Sequence, residues 1–309
     1  MKAKKSVNFI QYYVISLIIV ILIMASSFFI FPVKSATLMQ DLWGFFKEKQ
    51  LYPNVISIGR FSVKEPVGFL ILLFAAAPSL SAIILKWIIE GKNGLKNLFS
   101  RFKPIGNLFD ATDAKKIYIW IFSIYAIVSI AYILAGIALV GMEGMKSTFG
   151  VLGGNVLFII ITLIIGIFID EGGLLEELGW RGFGLIYLVN KYKNPFVATI
   201  LLGFFWWLWH IPRDIVGVLS TGFTLQFVSQ QALFLILCMA LSIVISYAVF
   251  KTGGSVIPAI LIHGGTNVWS KALSSPLYQT IGIDIRTIFV ILVAITILIM
   301  TKGKLGLEK

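Results

Sequence analysis

The sequence predicts an all-α membrane protein, a polytopic bundle of about eight transmembrane helices that encloses a polar cavity. Of its 309 residues, 58% are hydrophobic and only 13% are charged, which is about half the charged fraction of a soluble domain. The apolar residues also form uncharged windows of about 20 residues, the length that an α-helix needs to cross a bilayer. Such windows are too long for barrel strands, and an open sheet would leave unpaired backbone groups in lipid.

Eight windows are candidate spans. In chain order they cover residues 6–33, 66–85, 117–142, 147–169, 194–212, 229–250, 252–270 and 281–301, the last with Asp284 and Arg286 at its entry. The first is much longer than the apolar part of a signal peptide, so we predict an uncleaved helix. Residues 215–227 (IVGVLSTGFTLQF) are predicted to form a loop. Segment 34–65 is predicted to be a loop on the outer side, with a short amphipathic piece around LMQDLWGFFKEKQ.

The net charge of +12 comes mostly from lysines and arginines that flank the apolar windows. There they interact with anionic headgroups, and their distribution predicts that both termini lie in the cytoplasm. No basic helix or aromatic platform indicates a nucleic-acid partner. The lysine- and isoleucine-rich composition indicates a bacterial cytoplasmic membrane, and residues 1–309 are predicted to form one integral membrane domain. The single cysteine, Cys238, lies in an apolar run and is predicted to be a core or lipid-facing residue.

The stretch DEGGLLEELGWRG, residues 170–182, carries four of the fourteen acidic residues of the chain. Ionisable side chains inside a bilayer are costly and mark functional sites. Glu177 and Arg181 are four residues apart and share a helix face, whereas Glu176 points about 100° away. In one arrangement Arg181 keeps one carboxylate ionised while the other faces a cavity. The alternative is a helix end whose charges reach the membrane surface and form a salt bridge there.

The only two histidines of the chain lie in apolar segments. His210 ends the aromatic run FFWWLWHIP, where an interfacial belt of aromatic residues is the alternative interpretation. His263 and Asn267 share a helix face in PAILIHGGTNVW, midway along an apolar window. Their alternative role is an interhelical hydrogen bond that only packs helices together.

The segment KYKNP predicts a turn between two antiparallel helices, centred on Lys193. Glu176 and His210 are each seventeen residues from that centre. Equal distances from the turn of a helical hairpin mean equal depth, so the two side chains are predicted to face each other at one level, about 25 Å from the turn. The helix that carries EELGWRG then continues to about residue 190.

A break or loosened turn in this helix is predicted at Gly172 and Gly173. The two acidic residues before it, Asp170 and Glu171, are predicted to form a polar entrance of unknown role.

A carboxylate and a histidine in a shielded pocket can activate water, with the carboxylate as general base. Asn267 and one histidine can donate hydrogen bonds to a developing oxyanion. A general base together with oxyanion donors is the set of groups that amide hydrolysis requires. The same side chains also form a set of zinc ligands, two histidines and a glutamate, although the HExxH spacing is absent. A divalent metal such as zinc, held by Glu176, His210 and His263, therefore stays an alternative.

Three motifs in this order and spacing resemble those of the CPBP family of intramembrane proteases. This family includes the type II (Ras-converting) CAAX prenyl endopeptidases and bacterial abortive-infection homologues. Its pattern is Glu-Glu-x-x-x-Arg, then Phe-x-x-x-His, then His-x-x-x-Asn. The matching segments are Glu176-Glu177-Leu-Gly-Trp-Arg181, Trp206-x-x-x-His210 and His263-x-x-x-Asn267. The chain departs from the pattern at Trp206, where Phe is usual. The resemblance implies a protease core at about 147–301.

The resemblance implies an eight-helix bundle whose cavity opens to the cytosol, and cleavage near the substrate C-terminus in the prenyl-protein members. It implies that Glu176 activates water with help from His210, and that His263 and Asn267 stabilise the oxyanion. It leaves open whether the enzyme is glutamate-dependent or a metalloprotease. The expected substrate is a peptide or lipidated protein in the membrane. Expected roles include peptide maturation, bacteriocin immunity and turnover of membrane proteins.

Two other functions fit parts of the sequence. A proton-coupled transporter also places Glu and His side chains inside the membrane, although no inverted repeat is visible. A non-catalytic scaffold or bacteriocin-immunity protein would bind a membrane partner, although the retention of every catalytic-type residue argues against it.

Overall fold

The computed structural model describes residues 8–148, 156–273 and 285–307. Within these ranges all regular secondary structure is helical, which confirms the predicted class. The helices are α1 (Phe9–Phe29), α2 (Pro32–Lys49), α3 (Val55–Lys64), α4 (Phe69–Phe99), α5 (Ala114–Thr148), α6 (Val156–Ile169), α7 (Glu171–Glu177), α8 (Ile186–Tyr192), α9 (Pro195–Thr221), α10 (Leu225–Lys251), α11 (Ile257–Val268) and α12 (Ile285–Thr301). A π-helical segment, Leu178–Leu185, joins α7 to α8, and a second one, Trp269–Leu273, continues α11.

Long apolar helices make the described chain a multi-pass membrane bundle. Five helices are long and apolar enough to cross a membrane: Phe9–Phe29, Pro66–Phe102, Ala114–Glu143, Pro195–Ile215 and Leu225–Lys251. The shorter helices α6, α11 and α12 lie in three other predicted windows. Large apolar side chains cover outward faces, such as Ile127 and Leu134 on α5. A lipid environment accommodates such faces, because lipid tails are as apolar as leucine.

The sequence predicted a loop for segment 34–65, but this segment consists mainly of helices α2 and α3. The first ends where Gln50 adopts a left-handed backbone, and the second begins where the side chain of Asn54 accepts from the Ser57 amide. Their apolar side chains form a separate small core of Leu38, Leu42, Phe46, Ile58, Phe61 and Val67. The amphipathic piece predicted around LMQDLWGFFKEKQ lies in α2, and its last residue, Gln50, is the C-cap of that helix. The loop prediction was wrong because apolar residues one helical turn apart among polar ones are typical of a surface helix.

The loop predicted at residues 215–227 is also wrong. Helix α9 runs on to Thr221 and α10 begins at Leu225, so only three residues connect them. Gly222 ends α9 with a positive φ of 76°, a conformation that glycine adopts without steric cost. The apolar run was divided because it exceeds one bilayer thickness, yet a helix can extend beyond the hydrocarbon layer.

The predicted turn at KYKNP is present. Lys193 adopts the left-handed conformation after α8, and Asn194 caps α9 by accepting from the Val197 amide. Pro195 occupies the first turn of α9, where its missing N–H leaves no bond unmade. The two helices that carry Glu176 and His210 are thereby joined as a hairpin.

The sequence predicted a helix break at the two glycines before EELGWRG, but the break lies at Asp170. Asp170 has a non-helical backbone, with ψ at 136°, and caps α7 by accepting from the Gly173 amide at 2.9 Å. The glycines instead permit close packing. A Cβ on Gly173 would lie 2.8 Å from the Ile260 carbonyl oxygen, and one on Gly172 would lie 2.9 Å from Nε2 of His263. Helix α7 therefore lies directly against the backbone of α11.

The π segment packs against α4 at Pro78 as closely as α7 packs against α11. The Gly179 amide donates to the Ser79 hydroxyl at 3.2 Å. A Cβ on Gly179 would lie 2.3 Å from the carbonyl carbon of Pro78. Helices α4 and α11 thus hold α7 and the π segment on two sides, and this fixes the motif EELGWRG in the bundle interior.

We expect Gly179→Ala to lower the free energy of unfolding by about 1–3 kcal/mol, the usual cost of overpacking. The new methyl group would meet backbone atoms of α4, which cannot rotate away. Gly44→Ala is the matched control, since a Cβ there has nothing within 4 Å. The control should be neutral or stabilising by up to about 1 kcal/mol, because alanine is the better helix former. Denaturant titration of the detergent-purified protein measures both. Equal stability of the two variants would contradict the close contact.

Candidate active site

A fully buried ion pair lies at the base of the site. Nη1 of Arg181 donates to Oε1 of Glu177 at 2.7 Å, and neither side chain is exposed to solvent. The two residues share one helix face, as predicted. Nη2 of Arg181 donates to the Ser242 hydroxyl on α10 at 3.1 Å. The guanidinium also stacks on the Trp206 ring, 4.4 Å from its centroid. One arginine therefore links the π segment to α9 and α10.

The carboxylate of Glu177 also orients a histidine. Its Oε1 atom lies 2.7 Å from Nδ1 of His263. Because an ionised carboxylate only accepts, Nδ1 carries the hydrogen and donates. The other ring nitrogen, Nε2, lies over Gly172. Glu177 thus fixes the tautomer and the direction of this ring.

Glu176 projects away from this ion pair, as the helix geometry predicted. Its Oε2 atom accepts from the indole Nε1 of Trp206 at 2.9 Å. The backbone carbonyl of the same tryptophan lies 2.8 Å from Nδ1 of His210. A carbonyl only accepts, so this Nδ1 is the donor, and in the neutral ring Nε2 carries the lone pair. Both Glu176 and His210 therefore contact Trp206, which agrees with their predicted equal depth.

A cavity of about 830 Å³ joins these groups. Its lining includes Glu176, His210, His263 and Asn267 together with apolar residues of α1, α2 and α4, such as Met24. Of the six predicted site residues, four line the cavity. The remaining two, Glu177 and Arg181, lie behind them and are completely buried. The structure brings all six together, and their chemical roles stay predictions.

Asp170 is not an exposed entrance but a buried anchor that sequence reasoning missed. It is fully buried and accepts from Nδ2 of Asn267 at 2.8 Å and from Nζ of Lys271 at 2.9 Å. Lys271 also donates to Glu171. One amide hydrogen of Asn267 is used in this way, so Asp170 determines which way the amide faces. The four-residue spacing of Asn267 and Lys271 could have indicated that these two side chains share a partner, but not that the partner is Asp170.

The predicted zinc ligands do not form a ligand set. Among the residues that the structure describes, no three His, Cys, Asp or Glu side chains are placed to hold one metal ion. The Nδ1 atoms of His210 and His263 are anchored on acceptors, which is an arrangement found both in metal sites and in acid–base catalysis. A divalent metal stays an alternative for experiment. Cys238 is buried and lines the cavity without a bonded partner group.

Two comparisons with known proteins support the resemblance drawn from the motifs. Residues 152–269 match a family model described as type II CAAX prenyl endopeptidase Rce1-like. The chain is also 30% identical over 138 residues to CAAX prenyl protease 2 of Methanococcus maripaludis, which covers 43% of this chain and 48% of that protein. The chain thus spans about half the length of the curated relative it matches. The segment that matches the family model, residues 152–269, contains all six predicted site residues, and the family resemblance is confirmed.

We expect Arg181→Met to cost about 3–5 kcal/mol of unfolding free energy, since it leaves the buried Glu177 carboxylate without its guanidinium partner. The double variant Glu177→Gln/Arg181→Met should regain part of this loss, because a neutral amide needs no counter-charge. Lys34→Met, which breaks an exposed ion pair to Glu65, should change stability by about 1 kcal/mol or less. Denaturant titration in detergent compares the three. Equal effects of Arg181→Met and Lys34→Met would refute the buried pair as a structural element.

Proposed function

Since residues 152–269 match the Rce1-like family model and carry the CPBP-type motifs, we propose that this chain is an intramembrane endopeptidase. It hydrolyses a peptide bond of a membrane-associated peptide or protein. The observation that carries the proposal is the convergence of Glu176, His210, His263 and Asn267 on one cavity inside an apolar bundle. A carboxylate, an unprotonated ring nitrogen and two candidate oxyanion donors are the groups that amide hydrolysis needs.

In the proposed first step a water molecule lies between Glu176 and His210. One carboxylate oxygen of Glu176 is held by Trp206, and the other takes the water proton. Nε2 of His210 accepts the second water hydrogen as a hydrogen bond, because Nδ1 already donates to a carbonyl. The water oxygen then bonds to the peptide carbonyl carbon, whose C=O electron pair moves onto the oxygen.

The resulting oxyanion is stabilised by Asn267 and His263. The amide of Asn267 has a second N–H besides the one bonded to Asp170. His263 donates from Nε2 when both ring nitrogens are protonated. This imidazolium and Arg181 then balance the charges of Glu176 and Glu177. Collapse of the tetrahedral intermediate breaks the C–N bond, and the leaving amine receives the proton held by Glu176.

The walls of the cavity support a substrate class. Besides the polar residues, the lining includes apolar side chains of α1, α2 and α4. An apolar lining beside a hydrolytic centre suits a lipidated or strongly hydrophobic peptide. The relative from Methanococcus maripaludis is named a CAAX prenyl protease, so a prenylated C-terminal peptide is the first substrate to test.

The location and role of the enzyme are part of the proposal. The distribution of basic residues supports both termini in the cytoplasm, and the lysine- and isoleucine-rich composition supports a bacterial cytoplasmic membrane. The family resemblance implies a cavity that opens to the cytosol. Peptide maturation, bacteriocin immunity and membrane-protein turnover are roles that such an enzyme serves. In this proposal the enzyme is a glutamate-dependent protease that activates water with its own side chains. A metalloprotease is the alternative.

We expect Glu176→Gln to reduce kcat by roughly 10²–10⁴-fold, since the amide keeps the shape of the side chain but cannot take a proton. The measurement is cleavage of a quenched fluorescent peptide with a prenylated cysteine three residues from its C-terminus, by protein in lipid nanodiscs. Glu90→Gln, an exposed carboxylate on α4, is the control and should keep full activity. A chelator arm separates the alternatives: inhibition that added zinc reverses would favour the metalloprotease. Full activity of Glu176→Gln would remove the proposed base.

We expect Asn267→Ala to lower kcat by roughly 10²–10³-fold with little change in KM, as for the loss of one oxyanion donor. The control is Asn190→Ala, which removes an exposed amide at the end of α8. The same peptide assay measures both variants. A rise in KM at unchanged kcat would instead assign Asn267 to substrate binding.

A further inference from the structure

We propose that Trp206 is a positioning residue that holds the carboxylate of Glu176 in the orientation for water activation. This inference rests on the proposed hydrolytic function and extends it. The tryptophan side chain is 3% exposed, and its indole Nε1 donates to Oε2 of Glu176 at 2.9 Å. Glu176 has no other hydrogen-bond partner among the described residues, so this single bond sets the direction of the carboxylate.

The donor type suits this task. An indole N–H only donates and does not take up a proton at neutral pH. It therefore occupies one oxygen of Glu176 without competing for the proton of the water. A carboxylate without this bond would rotate about its terminal torsion, which is broad and nearly two-fold. The bond leaves the second oxygen as the one that faces the cavity.

Trp206 is itself immobilised by three of the predicted site residues. The Arg181 guanidinium covers one face of its ring at 4.4 Å. The ring of His263 meets it edge-on, with centroids 5.0 Å apart. Its carbonyl accepts from Nδ1 of His210. The indole is thus fixed relative to Arg181, His210 and His263, and it transmits that geometry to Glu176.

A phenylalanine at this place would keep a ring for Arg181 and His263 but would lack the N–H. The variant Trp206→Phe therefore separates the hydrogen bond from ring packing. The chain supplies a matched control on the next residue. Trp207 donates from Nε1 to the Gln231 side chain at 3.1 Å and does not line the cavity. Trp207→Phe removes the same kind of bond from the same helix.

The test compares both variants in the peptide assay. Trp206→Phe should lower kcat on the order of 10- to 100-fold with KM within about twofold, the size expected for a hydrogen bond to a charged group. Trp207→Phe should keep kcat. Infrared spectra give a readout independent of turnover: the carboxylate stretching band that Glu176→Gln removes should shift in Trp206→Phe and stay in place in Trp207→Phe.

The outcomes distinguish the two proposals. If Glu176→Gln is inactive while Trp206→Phe matches the wild type in kcat and in the carboxylate band, only the positioning role fails. If the wild-type protein cleaves no peptide, the proposed function fails, and the carboxylate band still tests the hydrogen bond. If Glu176→Gln retains full activity, the role of Glu176 as the base fails, and with it the positioning role of Trp206. If Trp206→Phe does not fold, benzothienylalanine at position 206 replaces the N–H by sulfur at nearly constant shape. A wild-type kcat and an unshifted band in that variant would overturn the proposal.

Discussion

The structure depends on the pairing of one buried carboxylate, that of Glu177. Its Oε1 atom accepts from Arg181 and from His263, each at 2.7 Å. A charged group taken out of water is tolerated only when it is paired and hydrogen-bonded. Since the two donors lie in the π segment and on α11, this one atom fixes the rotation of α7 against α11. Arg181 extends the constraint to α10 through Ser242 and to α9 through the ring of Trp206. The four elements that carry the site are thus tied to a single pair of opposite charges.

Such pairing requires helices that approach more closely than ordinary side chains permit. Gly172 and Gly173 bring α7 onto α11, and a Cβ on Gly264 would lie 2.5 Å from the Ile167 carbonyl oxygen of α6. Small residues have this function inside membranes, where close packing replaces the hydrophobic driving force. The helix break at Asp170 lies at the meeting point of these three helices. Its carboxylate therefore reaches Asn267 on the neighbouring helix while it caps its own.

Local regularities explain which parts of the structure the sequence predicted. A spacing of four residues placed Glu177 beside Arg181, and the symmetry of the hairpin about Lys193 placed Glu176 near the level of His210. The bond between Asp170 and Lys271 joins residues about a hundred positions apart, and the sequence contains no rule that pairs them. Lys271 directly follows the predicted span 252–270, where a charge commonly marks a membrane boundary and gives no sign of a buried ion pair. Helix extents were missed at 34–65, and at the end of α9, since hydrophobic windows report bilayer thickness and not helix length.

The polar groups of the cavity follow one scheme: each is held by one atom and presents another. Glu176 is held at Oε2 and His210 at Nδ1. His263 is held at Nδ1 by Glu177, and Asn267 is held through one N–H by Asp170. In every case the holding partner is a buried acceptor or donor outside the proposed reaction. Groups fixed in this way need no reorganisation when charge develops, which is where preorganised sites gain most of their rate. The scheme also explains why so apolar a chain concentrates carboxylates near residue 170: two of the four, Asp170 and Glu177, hold the groups that line the cavity.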